Sequence, residues 1–378
     1  MRWWLPAAKV MNRLGVPYPL MNLIISGSAG ILTEIKFEVT DRCNLACSFC
    51  HQDFGIKGGT DDLDRDTYER VLAQAKKEGV RIIRVTGGEP LLLKSTDDLV
   101  RRAKEMGFAV VVNTNGMALT EKRVNGLLGL VDCFKISLPA ADEETMTRLT
   151  GNRATWRLKW RALDLLRQHG VMTQVLTVMT RENIEKFATF IGLLEPYENT
   201  SWKPLRAETQ ENGEHPVSRE DIRRLAADMI AARKRERWKN LTLGLATPFC
   251  TLENPYDAVD LFSGGSTCGP IESLTLTSQG NAVRCYSRRD PIDISKGLRV
   301  ASRTLLMKDF EALPQVCRNC PLSPLCRGGC LCEWALEDTA FGRIDYLADP
   351  ARIAGAEAFR AASRPASSSP AAEIGSAC

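Results

Sequence analysis

Between Thr33 and Pro204, short apolar and β-branched runs alternate with longer stretches whose apolar positions recur every three to four residues. Residues 35–39, 82–86, 109–113, 133–138, 174–178 and 201–203 predict strands, because runs apolar on nearly every position suit strands buried on both faces. The intervening 64–78, 96–106, 120–128, 154–169 and 183–194 predict helices. Strands and helices alternating in this way make an α/β fold with a parallel sheet, here a partial (β/α)6 barrel of the TIM type rather than a closed eightfold one. Residues 218–239 predict one further helix with a charged face.

After that helix glycine, proline and cysteine become dense, and no long periodic helix is expected before the tail. Such a segment holds too little apolar material to fold on its own, so a structural cofactor is the economical explanation. The chain thus divides into an N-terminal extension (1–32), a barrel (33–240), a small cysteine-rich domain (241–345) and a C-terminal helix with a disordered tail (346–378). An N-terminal helix around residues 20–25 is expected to pack on the body, since that apolar run is too short to span a bilayer, which takes about 20 residues.

Composition narrows the function classes. Fifty basic and 46 acidic residues leave a net charge of +4, too even to suggest a nucleic-acid surface. Thirteen cysteines in a 378-residue chain without a signal-peptide pattern point to metal in a reducing, cytoplasmic setting rather than to disulfides. Neither nucleic acid nor membrane is expected as a partner.

The first cysteine group, Cys43-x3-Cys47-x2-Cys50, follows directly on the first predicted strand. In parallel α/β folds the loop after a strand is where ligands bind. Three thiolates on a short loop can hold three irons of a cubane and leave the fourth iron open. A four-ligand zinc site would need a further donor such as His51. Thr86-Gly87-Gly88-Glu89-Pro90 follows the second strand, Asn113-Thr114-Asn115-Gly116 ends the third, and Lys135-Ile136-Ser137-Leu138 forms the fourth.

In this order the segments resemble the radical S-adenosylmethionine (radical SAM) superfamily. The resemblance implies that Cys43, Cys47 and Cys50 hold a 4Fe–4S cluster whose open iron binds S-adenosylmethionine. It also implies that Phe49 lies near the adenine, that Gly87, Gly88, Glu89 and Pro90 receive the methionyl amino group, and that Asn115 and Ser137 reach the ribose or carboxylate. The family often carries an Asp and an Arg-Gly pair after the fourth strand; Pro139-Ala140-Ala141-Asp142 and Leu149-Thr150-Gly151 depart from that pattern, which leaves roles for Asp142 and Arg148 unsupported.

Cys317-x2-Cys320-x5-Cys326-x3-Cys330, preceded by Cys268 and Cys285, resembles the SPASM extension of that family. The resemblance implies one or two auxiliary iron–sulfur clusters, with Cys268, Cys285 and Cys330 on one and Cys317, Cys320 and Cys326 on the other. Each set then lacks a fourth cysteine: Cys250 is the candidate for the first, Cys332 or Cys378 for the second, and either cluster is alternatively open or closed by a non-cysteine ligand. Cys250 reads either as a ligand of the first auxiliary cluster, as a hydrogen-atom donor to a substrate radical, or as a buried thiol.

The chemistry implied is reductive cleavage of S-adenosylmethionine followed by hydrogen-atom abstraction from carbon, in an enzyme of epimerase or dehydrogenase type. A flavodoxin or ferredoxin-like protein is the expected electron donor. Only about 30 residues precede the first strand, so no fused peptide-recognition domain is expected. Cys268-Gly269-Pro270-Ile271-Glu272 and Cys285-Tyr286-Ser287-Arg288-Arg289 favour a carbohydrate-type small molecule, a sugar or aminocyclitol, over the alternative of a ribosomally made peptide. A non-catalytic metal-bound scaffold is the alternative from another class.

Overall fold

The computed structural model describes residues 32–50, 61–208 and 217–349, the last span with short breaks that include 263–272, 331–332 and 334–337. The expected N-terminal helix, His51, Cys268, Cys332 and the tail from residue 350 lie outside the described residues.

Six parallel strands, β1 (Glu34–Glu38), β2 (Ile82–Thr86), β3 (Ala109–Thr114), β4 (Cys133–Ser137), β5 (Thr173–Met179) and β6 (Thr200–Arg206), stand side by side in chain order. Helices α1 (Arg65–Lys77), α2 (Ser95–Glu105), α3 (Glu121–Leu127), α4 (Glu143–Thr150), α5 (Thr155–Gln168) and α6 (Phe187–Leu194) fall between them, and α7 (Arg219–Ala232) follows. This is the α/β partial barrel that the periodicity predicts. One strand face is sealed by apolar side chains such as Phe37, Val85, Val112, Ile136 and Val175. On the other face Lys36 stands opposite Arg84, and Lys135 opposite Gln174.

Local sequence explains most boundaries. Asp64 caps α1 by accepting from Thr67 N at 2.9 Å, and Ser218 with Asp221 forms a capping box on α7. Helix α4, absent from the sequence reading, begins at Asp142, whose carboxylate accepts from Thr145 N, and stops at Gly151 in the left-handed conformation (φ 70°). Strand β6 runs past Pro204 because it is an edge strand, where a missing N–H costs no ladder bond.

Two features depart from expectation. Strand β7 (Ser273–Leu276), from the cysteine-rich segment, pairs parallel with β1 and extends the sheet to eight strands with β8 (Ala282–Val283). The same segment also contains a 15-residue helix, α8 (Leu298–Ala312), where no long helix was expected. Its apolar residues fall on both faces, with Val300 and Met307 exposed, so it shows no stripe. Its start is capped from far away: Glu78, just past α1, accepts from Leu298 N at 2.9 Å and Arg299 N at 2.8 Å.

Candidate active site and cysteine clusters

The Cys43–Cys50 loop is fixed by backbone on two sides. Gly88 N donates to Thr40 O at 2.8 Å and Glu89 N to Arg42 O at 2.7 Å, so the loop after β2 lies against the base of the cysteine loop. Only glycine permits this approach: a Cβ on Gly87 would meet Thr40 O at 2.3 Å, and one on Gly88 would meet Arg42 O at 2.2 Å. Gly87 also has a φ of 132°, where L side chains are strained. The far end of the loop is held by α4, with Ser48 N donating to Leu149 O at 2.9 Å. Pro90 opens a single 3-10 turn, and Phe49 packs partly buried against the core.

Cys43, Cys47 and Cys50 sit within electrostatic reach of one another on this loop, with Cys50 exposed. Burial pushes the Cys47 thiol up to about 12 and raises Cys43, so thiolates here require a positive partner. Beside them Glu89 is fully buried, and it accepts from Thr114 Oγ1 at 2.6 Å, Asn115 N at 2.6 Å and Leu91 N at 3.1 Å. Burial raises its pKa, and those three donors pull it back. The donor set fits an iron–sulfur cluster: three soft thiols on one preformed loop, next to a buried acid placed to meet an ammonium group.

The other sequence candidates serve this loop as well. The Asn115 amide donates to Asn44 Oδ1 at 2.7 Å and accepts from Met117 N at 2.9 Å, tying the end of β3 to the cysteine loop. Ser137 ends β4, and its carbonyl accepts from Lys159 Nζ at 2.6 Å. Lys159 also donates to Asn115 O at 2.7 Å and is 1% exposed. It joins the carboxyl ends of two strands next to the thiols. Burial pulls it down to about 8, against the pull of Cys47, Glu89 and Cys43. The sequence reading missed it, although a signal was present: Thr155, Lys159, Ala162, Leu163 and Leu166 form the buried stripe of α5, with one lysine inside it. Asp142 is occupied as a helix cap, and Arg148 pairs at the surface with Glu182.

The late cysteines separate into two neighbourhoods. Cys250, Cys317, Cys320 and Cys326 line one pocket together with Phe249 and Ala348. Cys285 and Cys330 instead share the surroundings of Glu208, whose half-buried carboxyl accepts from Ser287 Oγ at 2.5 Å. Burial, then the nearby thiols, push Glu208 up to about 8. Arg206, at the end of β6, is buried with Asp345 at 2.6 Å and Glu333 at 3.5 Å. Burial works against its charge, but Asp345 together with Cys330, Tyr346 and Glu333 outweighs that and raises its pKa. Asp345 in turn accepts from Cys330 N at 2.9 Å, so the pair anchors the Cys330 turn to the barrel. None of these three charged residues stood out in the sequence. Among the described residues, no three Cys, His, Asp or Glu side chains gather as one ion would require. The Cys250 group stands around the walls of a pocket.

Comparison with known proteins fits this geometry. The profile of the radical SAM superfamily matches residues 37–194, the span that carries the end of β1, the three-cysteine loop, the Gly87–Pro90 turn and β2 to β5. Residues 37–194 are a radical SAM domain. The chain is a radical SAM enzyme, and the cofactors of its core are a 4Fe–4S cluster and S-adenosylmethionine. The chain is similar to the PqqA peptide cyclase of Xanthomonas euvesicatoria pv. vesicatoria (strain 85-10), 25% identical over 323 residues, 79% of this chain and 83% of that protein. Its fold is shared with Streptococcus suis SuiB bound to the precursor peptide SuiA (TM-score 0.67, 17% identity, 87% of this chain and 79% of that one). It is shared too with anSMEcpe bound to AdoMet (TM-score 0.67, 15% identity, 87% and 97%). These findings overturn the expectation of a carbohydrate-type substrate: the molecules named with these proteins are peptides, PqqA for the cyclase, the precursor peptide SuiA bound to SuiB, and the Kp18Cys peptide bound to anSMEcpe. The sugar reading rested on short motifs around Cys268 and Cys285, of which Cys268 lies outside the described residues. Among the described residues no helix is long and apolar enough to cross a membrane.

Proposed function

We propose that this radical SAM enzyme modifies a peptide, forming a cross-link or ring within it. The observation that carries the reading is the similarity to a peptide cyclase along 79% of the chain, well beyond the matched radical SAM span. A match of that length cannot leave out the whole cysteine-rich segment, whose thiols suit auxiliary iron–sulfur clusters that accept electrons. When bound, the core cluster and S-adenosylmethionine supply hydrogen-atom abstraction from an unactivated carbon.

The chain's own residues do the positioning. Cys43, Cys47 and Cys50 hold the cluster on a loop that Gly87 and Gly88 allow to sit tightly against Thr40 and Arg42. Glu89 receives the amino group of the cofactor at the carboxyl end of β2, Phe49 meets the adenine, and Asn115 and Ser137 face the ribose and carboxylate. Lys159 keeps the last two in register by holding both their carbonyls. Such fixed geometry is how a protein directs a reactive group toward one carbon and away from side reactions.

The test is to reconstitute the protein anaerobically with iron, sulfide and S-adenosylmethionine, reduce it, and incubate it with a panel of synthetic precursor peptides. The reading predicts a peptide product lighter by two hydrogens, formed together with 5′-deoxyadenosine. Release of 5′-deoxyadenosine with every peptide mass unchanged would contradict it.

A further inference from the structure

We propose that Cys250 completes the ligand set of the Cys317, Cys320 and Cys326 cluster, and does not belong with Cys285 and Cys330. The inference rests on the reading of this segment as a holder of auxiliary clusters and assigns its missing fourth thiolate.

The argument starts from neighbours. Cys250, Cys317, Cys320 and Cys326 line the same pocket, although 67 residues part the first from the second (317 minus 250). Cys250 packs directly with Ala348 and Cys320 in a small buried cluster. The stretch that carries Cys250 is bonded to the same group, since Phe249 N donates to Cys326 Sγ at 3.3 Å. Cys250 itself accepts from Asp349 N, with 3.4 Å between nitrogen and sulfur. Backbone N–H groups aimed at sulfur stabilise thiolates, as ligands of an iron–sulfur cluster require. Four soft donors around a pocket suit a multi-iron cage.

The other neighbourhood is built differently. Cys330 is tied through its N–H to Asp345 and thus to Arg206, while Cys285 shares Glu208 with it. The thiols that share the Cys250 pocket are those of Cys317, Cys320 and Cys326. The same placement speaks against Cys250 as a hydrogen donor to substrate, because its pocket is formed by late-segment residues and not by the Cys43–Cys50 loop.

Iron counting tests this without reference to turnover. The parent for the test is the full chain with Cys43, Cys47 and Cys50 replaced by alanine, so that all bound iron belongs to the late cysteines. Cys250→Ala should lower iron and sulfide to roughly half the parent value, one of two cubanes, or leave a three-iron signal in the electron paramagnetic resonance spectrum of oxidised protein. Cys285→Ala should act additively with it, since it strips the other cluster. Ala348→Cys in the Cys250→Ala background should restore iron, because residue 348 packs against residue 250 in that pocket. Unchanged iron in Cys250→Ala, loss of all iron, non-additivity with Cys285→Ala, or failure of Ala348→Cys to recover iron would each overturn the assignment. A parent that binds no iron at all would sink the auxiliary-cluster reading itself, an outcome separable from these.

Discussion

The early and late cysteine groups solve one problem in opposite ways. The Cys43–Cys50 loop is shaped by backbone hydrogen bonds to β1, to the Gly87–Glu89 turn and to α4, and its thiols remain partly or fully exposed. Cys250, Cys317 and Cys326 are buried, and the two short helices that carry the last two have only four residues each. The first site is shaped by its own backbone and leaves Cys50 exposed. On the proposed reading, the second would derive much of its order from the cluster it holds. A site that must admit substrate uses the sheet as its scaffold, whereas a site that only stores or passes electrons can use its cluster as the core.

The contrast can be broken most forcefully at the link between the two regions. Replacing Asp345 with leucine leaves Arg206 buried without its closest carboxylate and frees the Cys330 turn, which should cost about 3–5 kcal/mol in denaturant-induced unfolding. A loss under about 1 kcal/mol would mean that water reaches the pair. Chelating the iron should come next in effect. Hydrogen exchange should then rise through residues 315–330 while β1 to β5 stay protected, and equal loosening of both regions would erase the distinction.

Gly88→Ala tests preorganisation of the early loop. The added methyl meets Arg42 O, so about 1–3 kcal/mol of overpacking should displace the cysteine loop and abolish formation of 5′-deoxyadenosine while iron in the late clusters is retained. Lys159→Met removes two charge-assisted hydrogen bonds, each worth about 1.5–3 kcal/mol. The expected result by equilibrium dialysis is S-adenosylmethionine affinity lowered by about ten- to a hundredfold with iron content unchanged. Intact affinity would reduce Lys159 to a packing residue. Smallest of all, Arg148→Ala touches only a surface pair with Glu182 and should leave melting temperature and turnover as they were.

The sequence makes the early region readable because its determinants are local. Apolar runs mark β1 to β5 within one or two residues, and the cysteine and glycine motifs sit in the loops just after the strands, where the fold puts its ligands. The late region depends on partners distant in sequence. Helix α8 takes its cap from Glu78, β7 finds β1, and Cys250 meets thiols that short-range spacing cannot connect to it. Lys159 falls between these cases: its place in an apolar stripe is visible in the chain, but its acceptors are backbone carbonyls that only the folded sheet brings to it.

The most direct test of the central claim isolates the early loop from everything after it. A full-length variant with Cys250, Cys285, Cys317, Cys320, Cys326 and Cys330 replaced by serine should, once reconstituted and reduced, give a cubane resonance signal that shifts when S-adenosylmethionine is added. A spectrum indifferent to S-adenosylmethionine, in protein that keeps its iron, would contradict the account.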